Sequence, residues 1–440
     1  MVTDRKLRGA IFIVAILLGS GTVLLQDSLP DRARATIGLV CFLAMIVACS
    51  SNIRAIRWRT VWCGLGLQLA LALLILRFEV FGLRPGYEFF SGLAAVVNGF
   101  LEFTRAGSEF VFGVLANQNE MGQVFPNGLV LAFAALPTII FVSSVFTVLH
   151  YLGVIQVLVA LMARVMAPLM RTSGAETLSA AANVFMGQTE APIIVKPYIQ
   201  DMTESELLAL MTGGLATIAG SVLAVYISLG ADPVAILTTS VMAAPCGLYL
   251  SKILIPEIKF PDTGIGLRVP VGKGHVNLID AAAAGAAEGM RLAINVAAVL
   301  IAFLGLIAMI DFLLGLINPN LSLAGVFATL FAPVAVLLGV TVSDVPAIAD
   351  LLGIKLVTNE FVAYVKLSSD YQGVITERSH VLATFALTGF ANFGSVGILL
   401  GGIGGMAPSR RADLARLSSR ALLAGFVATL INAAIAAIVI

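Results

Sequence analysis

Apolar residues run along this 440-residue chain in long blocks separated by short polar connections. Nine blocks approach the roughly 20 residues that a helix needs to cross a bilayer. They are residues 10–25, 35–49, 61–76, 129–149, 207–229, 234–253, 292–316, 381–400 and 422–440. Residues 87–112 and 151–171 mix polar and apolar positions, a pattern that suits helices lying in the membrane interface. Residues 321–338, which include Pro333, predict either another interfacial helix or a tenth span. Two stretches fit neither class. Residues 175–199 and 343–367 each rise into apolar sequence, break at a polar centre and leave again. Each is too short to cross twice, so each predicts a re-entrant hairpin. Such backbone is tolerated at membrane depth only where protein or a water-filled cavity covers it.

Composition sharpens the class. Hydrophobic residues make up 59% of the chain and charged ones 12%, against about 25% charged in soluble domains. The chain therefore predicts an all-α polytopic membrane protein. Its net charge of +1 argues against a polyanionic partner, and no nucleic-acid-binding signature occurs. Cys41, Cys49, Cys63 and Cys246 lie in or beside apolar runs without ligand spacing and read as small core hydrophobes. His150, His275 and His380 are isolated. Basic residues set the orientation. Arg54, Arg57 and Arg59 follow the second block; Lys252, Lys259, Arg268 and Lys273 follow the sixth; Arg410, Arg411, Arg416 and Arg420 precede the last. With Arg5, Lys6 and Arg8 ahead of the first block, the positive-inside rule predicts a cytoplasmic N-terminus. Nine spans then place the C-terminus outside, in the periplasm.

The two hairpins echo each other. Glu190, in Gly187-Gln188-Thr189-Glu190-Ala191-Pro192, is the polar centre of the first, and Glu360, in Thr358-Asn359-Glu360-Phe361, of the second. After the first comes Gly214-Leu-Ala-Thr217-Ile218-Ala-Gly-Ser221-Val222, and after the second Gly389-Phe390-Ala-Asn392-Phe-Gly-Ser395-Val396. The predicted topology puts the hairpins on opposite sides, an inverted repeat of the kind that builds secondary transporters. Carboxylates at membrane depth cost several kcal/mol and mark functional sites. Each glutamate could instead pair with the lysine six residues on, Lys196 or Lys366. Gly213, Gly214 and Gly220 around Thr217 suggest a locally unwound helix with freed carbonyls, with small-residue helix packing as the alternative. Asn183 and the backbone near Met186 and Gly187 offer hard oxygen ligands for a cation. Gln68 and Asn295 read as helix–helix hydrogen-bonding residues, and Asp311 as one reaching the interface.

These motifs resemble the concentrative nucleoside transporter family. The resemblance rests on Ala181-Ala-Asn-Val-Phe-Met-Gly-Gln-Thr-Glu-Ala-Pro192, Gly213-Gly-Leu-Ala-Thr-Ile-Ala-Gly-Ser221, Asn359-Glu-Phe-Val-Ala-Tyr364 and Gly389-Phe-Ala-Asn-Phe-Gly-Ser395. It runs from about residue 50 to the end, and the first block is an addition to the shorter bacterial form. The resemblance implies a homotrimer in the bacterial inner membrane that imports nucleosides such as uridine or adenosine by an elevator motion. It implies no organic cofactor and no enzymatic activity. An intramembrane enzyme and a channel are the rival classes. Gln188, Thr189 and Glu190 would face the nucleobase, with Gly187 beside them and Val222 and Phe390 packing near. Glu360, Asn392 and Ser395 would face the ribose, and Leu292 would line the scaffold side. Asn183, Met186, Thr217 and Ile218 would hold Na⁺, two of them through backbone carbonyls; proton coupling is the alternative. The implied division has N-terminal spans at 1–55, scaffold helices at 56–175 and 231–342, transport-domain elements at 176–230 and 343–402, and a last span at 403–440.

Overall fold

A computed structural model describes residues 2–117, 120–121, 131–134, 136–261, 263, 275–319 and 321–440. Among the described residues the chain is helical throughout, with short turns and no named strand. In chain order the long helices are α1 (Val2–Leu24), α2 (Asp31–Ala48), α3 (Trp58–Leu76), α4 (Pro85–Phe112), α5 (Leu136–Tyr151) and α6 (Val154–Met170). Then come α7 (Gly174–Ala182), α8 (Glu204–Ala216), α9 (Gly220–Ser228), α10 (Pro233–Leu254) and α11 (Leu278–Ile317). The last are α12 (Leu323–Leu337), α13 (Val345–Val357), α14 (Glu360–Asp370), α15 (Glu377–Leu387), α16 (Phe393–Met406) and α17 (Arg411–Val439). The start of the expected span at 129, and Arg268 and Lys273, lie outside the described residues.

Six described segments are long and apolar enough to cross a bilayer: α1, α3, α8 with α9, α10, α11, and α17 with the turn before it. The remaining expected spans fall short of that measure for identifiable reasons. Helix α2 carries Asp31, Arg32 and Arg34 in its first turns, and the span at 381–400 is broken into α15 and α16. Helix α6 turns away from α5 by 71°, as an interfacial helix must. Helix α11 starts well before residue 292, because the alanine-rich run ahead of it continues the helix.

The core is built from α8, α10 and α17, whose apolar segments are almost wholly buried. Helices α2, α3 and α15 pack around them, whereas α11 packs chiefly on α5 and keeps most of its surface exposed. Buried polar side chains bind the core helices together. Tyr249 on α10 donates to Gln68 Oε1 on α3 at 2.8 Å. The Gln68 amide donates to Asn432 on α17, and Asn432 Nδ2 donates to Thr239 Oγ1 on α10 at 3.0 Å. Orphaning one such buried group costs about 1–3 kcal/mol. Asn432→Leu is therefore expected to lower the unfolding temperature of the detergent-purified protein, and an unchanged melting curve would count against this network as a stabilising element.

The base of the first hairpin is anchored by charge. Ser173 and Glu176 form a capping box on α7, and Thr203 and Glu206 form one on α8. Lys252 of α10 pairs with Glu176 at 2.5 Å and Glu257 at 3.3 Å, all buried. Buried charges persist when paired and hydrogen-bonded, so hairpin, α8 and α10 are locked as one body at this end.

Candidate functional site

Both polar-centred helices are broken where their sequences suggest. Helix α8 ends at Ala216, Thr217 takes an extended conformation, and α9 begins at Gly220. Thr217 Oγ1 donates back to the Gly213 carbonyl at 2.9 Å, a side-chain bond that competes with helix continuation. In the second half, α15 ends at Leu387 and α16 begins at Phe393, capped by Asn392. The two breaks meet: the Phe390 amide donates to the Thr217 carbonyl at 3.1 Å. The alternative readings of the glycines both hold, at different positions. A Cβ at Gly213 would lie 2.9 Å from Asn183 Nδ2, and one at Gly220 would lie 2.3 Å from the Phe146 ring. These positions let the first hairpin and α5 close on the break.

The hairpin tips face the breaks. The Gly187 amide donates to Glu190 Oε2 at 3.2 Å, which folds the first tip around its own carboxylate. Glu360 is buried at the start of α14. Tyr226 of α9 donates to its Oε1 at 2.8 Å, and Asn392 Nδ2 donates to its Oε2 at 2.9 Å. Asn392 Oδ1 meanwhile accepts the Ser395 amide at 2.7 Å, so one side chain both caps α16 and aims Glu360. Neither glutamate pairs with the lysine six residues beyond it. Lys366 pairs with Asp350 at 2.7 Å, and Lys196 is exposed. The carboxylates thus keep acceptor capacity for something else.

One cavity of about 940 Å³ runs between these elements and α11. All ten residues expected at the substrate lie on its wall: Gly187, Gln188, Thr189, Glu190, Val222, Leu292, Glu360, Phe390, Asn392 and Ser395. Gln188 Oε1 is buried with no hydrogen-bond partner among the described residues. The four expected ion ligands, Asn183, Met186, Thr217 and Ile218, are buried. They lie where the first hairpin packs on the α8 break, an apposition marked by the Gly220 amide donating to the Phe185 carbonyl at 3.1 Å. Asn183 Nδ2 donates to the Ser179 carbonyl at 3.0 Å, whereas its Oδ1 is buried with no hydrogen-bond partner among the described residues. Among the described residues no cluster of three His, Cys, Asp or Glu side chains could hold a metal. A cation here would be held by neutral oxygens, as at the half-helix ends of transporters.

Several wall residues escape the sequence reading. Tyr226 looks like one more apolar position in α9, yet a buried tyrosine hydroxyl requires a partner, and that requirement is the signal that could have found it. Glu288, Arg291 and Asn295 come from one face of α11. Asn295 thus lines the cavity, with no side-chain hydrogen bond to another helix among the described residues. Asp311 accepts the Leu323 amide at 2.6 Å, fixing the entry to α12, while Gln68 does bond across helices.

Comparison with known proteins places this site in context. A family model described as "Na+ dependent nucleoside transporter C-terminus" matches residues 235–437, and its N-terminal counterpart matches 37–115. A model described as "Nucleoside recognition" matches 132–233. The "Sodium/nucleoside cotransporter 1" of Mus musculus is 42% identical over 431 residues, covering 93% of this chain and 64% of the relative. The chain therefore spans 64% of the length of that relative. An "Uncharacterized transporter" of Haemophilus influenzae is 42% identical over 418 residues, covering 92% of this chain and 97% of the relative. Among solved structures, CNTnw in an inward-facing substrate-bound state superposes with a TM-score of 0.87 at 38% identity, covering 93% of this chain and 98% of that one. A variant of CNTnw in an outward-facing state also gives a TM-score of 0.87, at 37% identity.

Proposed function

The chain belongs to the Na⁺-dependent nucleoside transporter family, and from that premise we propose that it imports nucleosides coupled to Na⁺. The observation that carries the reading is the single cavity onto which both hairpins and both helix breaks converge. Its polar groups suit a neutral, amphipathic solute. Glu190 and Glu360, when ionised, only accept hydrogen bonds, and a nucleoside supplies donors in its ribose hydroxyls and base N–H groups. Glu360, Asn392 and Ser395 take the ribose in this reading. Gln188, Thr189 and Glu190 take the base edge beside Gly187, with Val222 and Phe390 against its apolar face and Leu292 on the opposite wall. A site built to match hydroxyls rejects analogues that lack them, because its buried partners are left unpaired.

Na⁺ binds, in this reading, to Asn183 and Thr217 and to the carbonyls of Met186 and Ile218. The unpartnered Asn183 Oδ1 supports it. The ion draws the hairpin and the broken helix together directly behind the Gln188–Glu190 segment, so cation binding prepares the base side of the site. The cavity-facing stripe of α11, from Ala284 to Phe303, is the track along which the hairpin-bearing body moves as an elevator. Helices α5 and α11 form the scaffold, and the exposed apolar outer face of α11 suits lipid or the other protomers of a trimer. The assembly sits in the inner membrane with the N-terminus cytoplasmic and the C-terminus periplasmic.

The test is uptake of labelled uridine and adenosine by proteoliposomes, in Na⁺ and in choline, at two pH values. Accumulation against the nucleoside gradient in Na⁺ alone is expected. Uptake that follows a proton gradient and ignores Na⁺ would overturn the ion, and uptake that only equilibrates would indicate a channel.

A further inference from the structure

Lys355 stands out as a buried cation that lies outside both the repeat motifs and the cavity wall. It lies in the last turn of α13 and is fully buried. Its ammonium donates to the Ala386 carbonyl at 2.7 Å and to Thr429 Oγ1 at 2.8 Å. The Phe426 ring lies 5.5 Å from it. Among the described residues no carboxylate comes within ion-pair distance of Lys355; Asp350 pairs with Lys366, and Glu360 acts on the ammonium only from beyond contact. Burying an ammonium without an ion-pair partner is costly, so the surroundings must supply negative potential. They do so through the nearby Glu360 carboxylate and, in direct contact, through helix ends. Ala386 belongs to the last turn of α15, whose carbonyls point out of the helix with the negative end of its dipole.

The first half has the same geometry without the lysine. There the C-terminal ends of α7 and α8 converge at Asn183 and Thr217. Among the described residues no Lys or Arg side chain bonds to either end. What remains is the buried, unpartnered Asn183 Oδ1, with Ser179 Oγ and Thr212 Oγ1 also unpartnered nearby in sequence. The second half brings together the C-terminal ends of α13 and α15, and there a side chain supplies the charge.

We propose that Lys355 is a tethered cation, which does for the second hairpin and its broken helix what bound Na⁺ does for the first. The inference rests on the reading that Na⁺ binds at Asn183 and Thr217. Lys355 is a positioning residue: it fixes the end of α15 directly before the break that carries Phe390 and Asn392, and so holds Asn392 against Glu360. The repeat is thereby asymmetric in ion use. One half waits for its cation and the other carries it permanently, so a single Na⁺ accompanies each nucleoside.

The first measurement uses the unaltered chain in proteoliposomes, following sodium isotope and labelled uridine together. A flux ratio of one is expected, and a ratio of two overturns the proposal. The second uses Lys355→Asn, which puts a neutral oxygen where the ammonium was. Its Na⁺ dependence is expected to change from hyperbolic to sigmoidal, with half-saturation raised about tenfold, as the loss of a charge at a helix end implies. Na⁺-dependent thermal stabilisation of the detergent-purified variant should show the same change in order. A hyperbolic curve at the original half-saturation overturns the proposal. Should the variant not fold, the flux ratio of the unaltered chain still decides. An unaltered chain indifferent to Na⁺ would overturn the underlying ion site and this inference with it, whereas Na⁺-dependent uptake at a ratio of two removes only the role of Lys355.

Discussion

Glu360→Gln is expected to abolish nucleoside uptake by proteoliposomes while leaving the protein folded. Both oxygens of Glu360 accept hydrogen bonds within the protein, one from Tyr226 and one from Asn392. A glutamine there has one acceptor oxygen for two donors: if it serves Asn392, its NH₂ group must donate to the Tyr226 oxygen, and the Tyr226 hydroxyl proton loses its acceptor. In the proposed binding mode the ribose hydroxyls lose a charged acceptor as well. Hydrogen bonds to charged groups contribute about 1.5–3 kcal/mol each, so two hydroxyls account for roughly a hundredfold or more in uptake. Asn392→Ala should be comparably severe, because it removes both the donor to Glu360 and the cap of α16. Tyr226→Phe keeps the carboxylate and should cost only about tenfold, the worth of one bond to a charged group. Initial rates with size-exclusion profiles as a folding control would decide the matter. Full uptake by both Glu360→Gln and Asn392→Ala would sink the ribose assignment.

The second large effect is expected at the ion. Asn183→Ala removes a buried oxygen that has no hydrogen-bond partner among the described residues, so the substitution costs little internal bonding beyond the amide's contact with the Ser179 carbonyl. It should nevertheless raise the Na⁺ concentration for half-maximal uptake by about tenfold or more, the range found when the groups that hold a metal site are disturbed. Gly213→Ala acts on the same atom group from the other side, since its Cβ would stand 2.9 Å from Asn183 Nδ2. It should shift the Na⁺ curve in the same direction by a smaller factor. Unchanged Na⁺ curves in both variants would show that the cation binds elsewhere.

Much of the fold is legible in the residue pattern because lipid imposes a simple rule. A helix crossing a bilayer must be apolar along its length, so each departure from apolarity carries information. The polar tips at Gly187–Glu190 and Thr358–Phe361 are such departures, as are the glycine-rich stretches around Thr217 and Asn392. All of them fall at hairpin tips or helix breaks. Partner choice is not legible in this way. Lys366 stands one and a half turns from Glu360 yet bonds to Asp350, and Lys355, five residues before Glu360, reaches Ala386 and Thr429 instead. Tyr226 is 134 residues from the carboxylate it orients. Nothing local in the chain distinguishes it from Tyr249, which bonds to Gln68 in the core.

The chain by itself therefore determined the class, the two hairpins, the two breaks and the residue types gathered at them. Those features follow from local physics: the cost of polar groups in lipid, the weakness of glycine in helices and the capping chemistry of Asn and Thr. Only the tertiary structure decided which breaks touch, which partners Lys355 and Lys366 take, and that ten residues from distant segments share one cavity. Those outcomes depend on how whole helices pack. The contact of Phe390 with Thr217 joins positions 173 residues apart, and no short-range pattern encodes a distance of that kind.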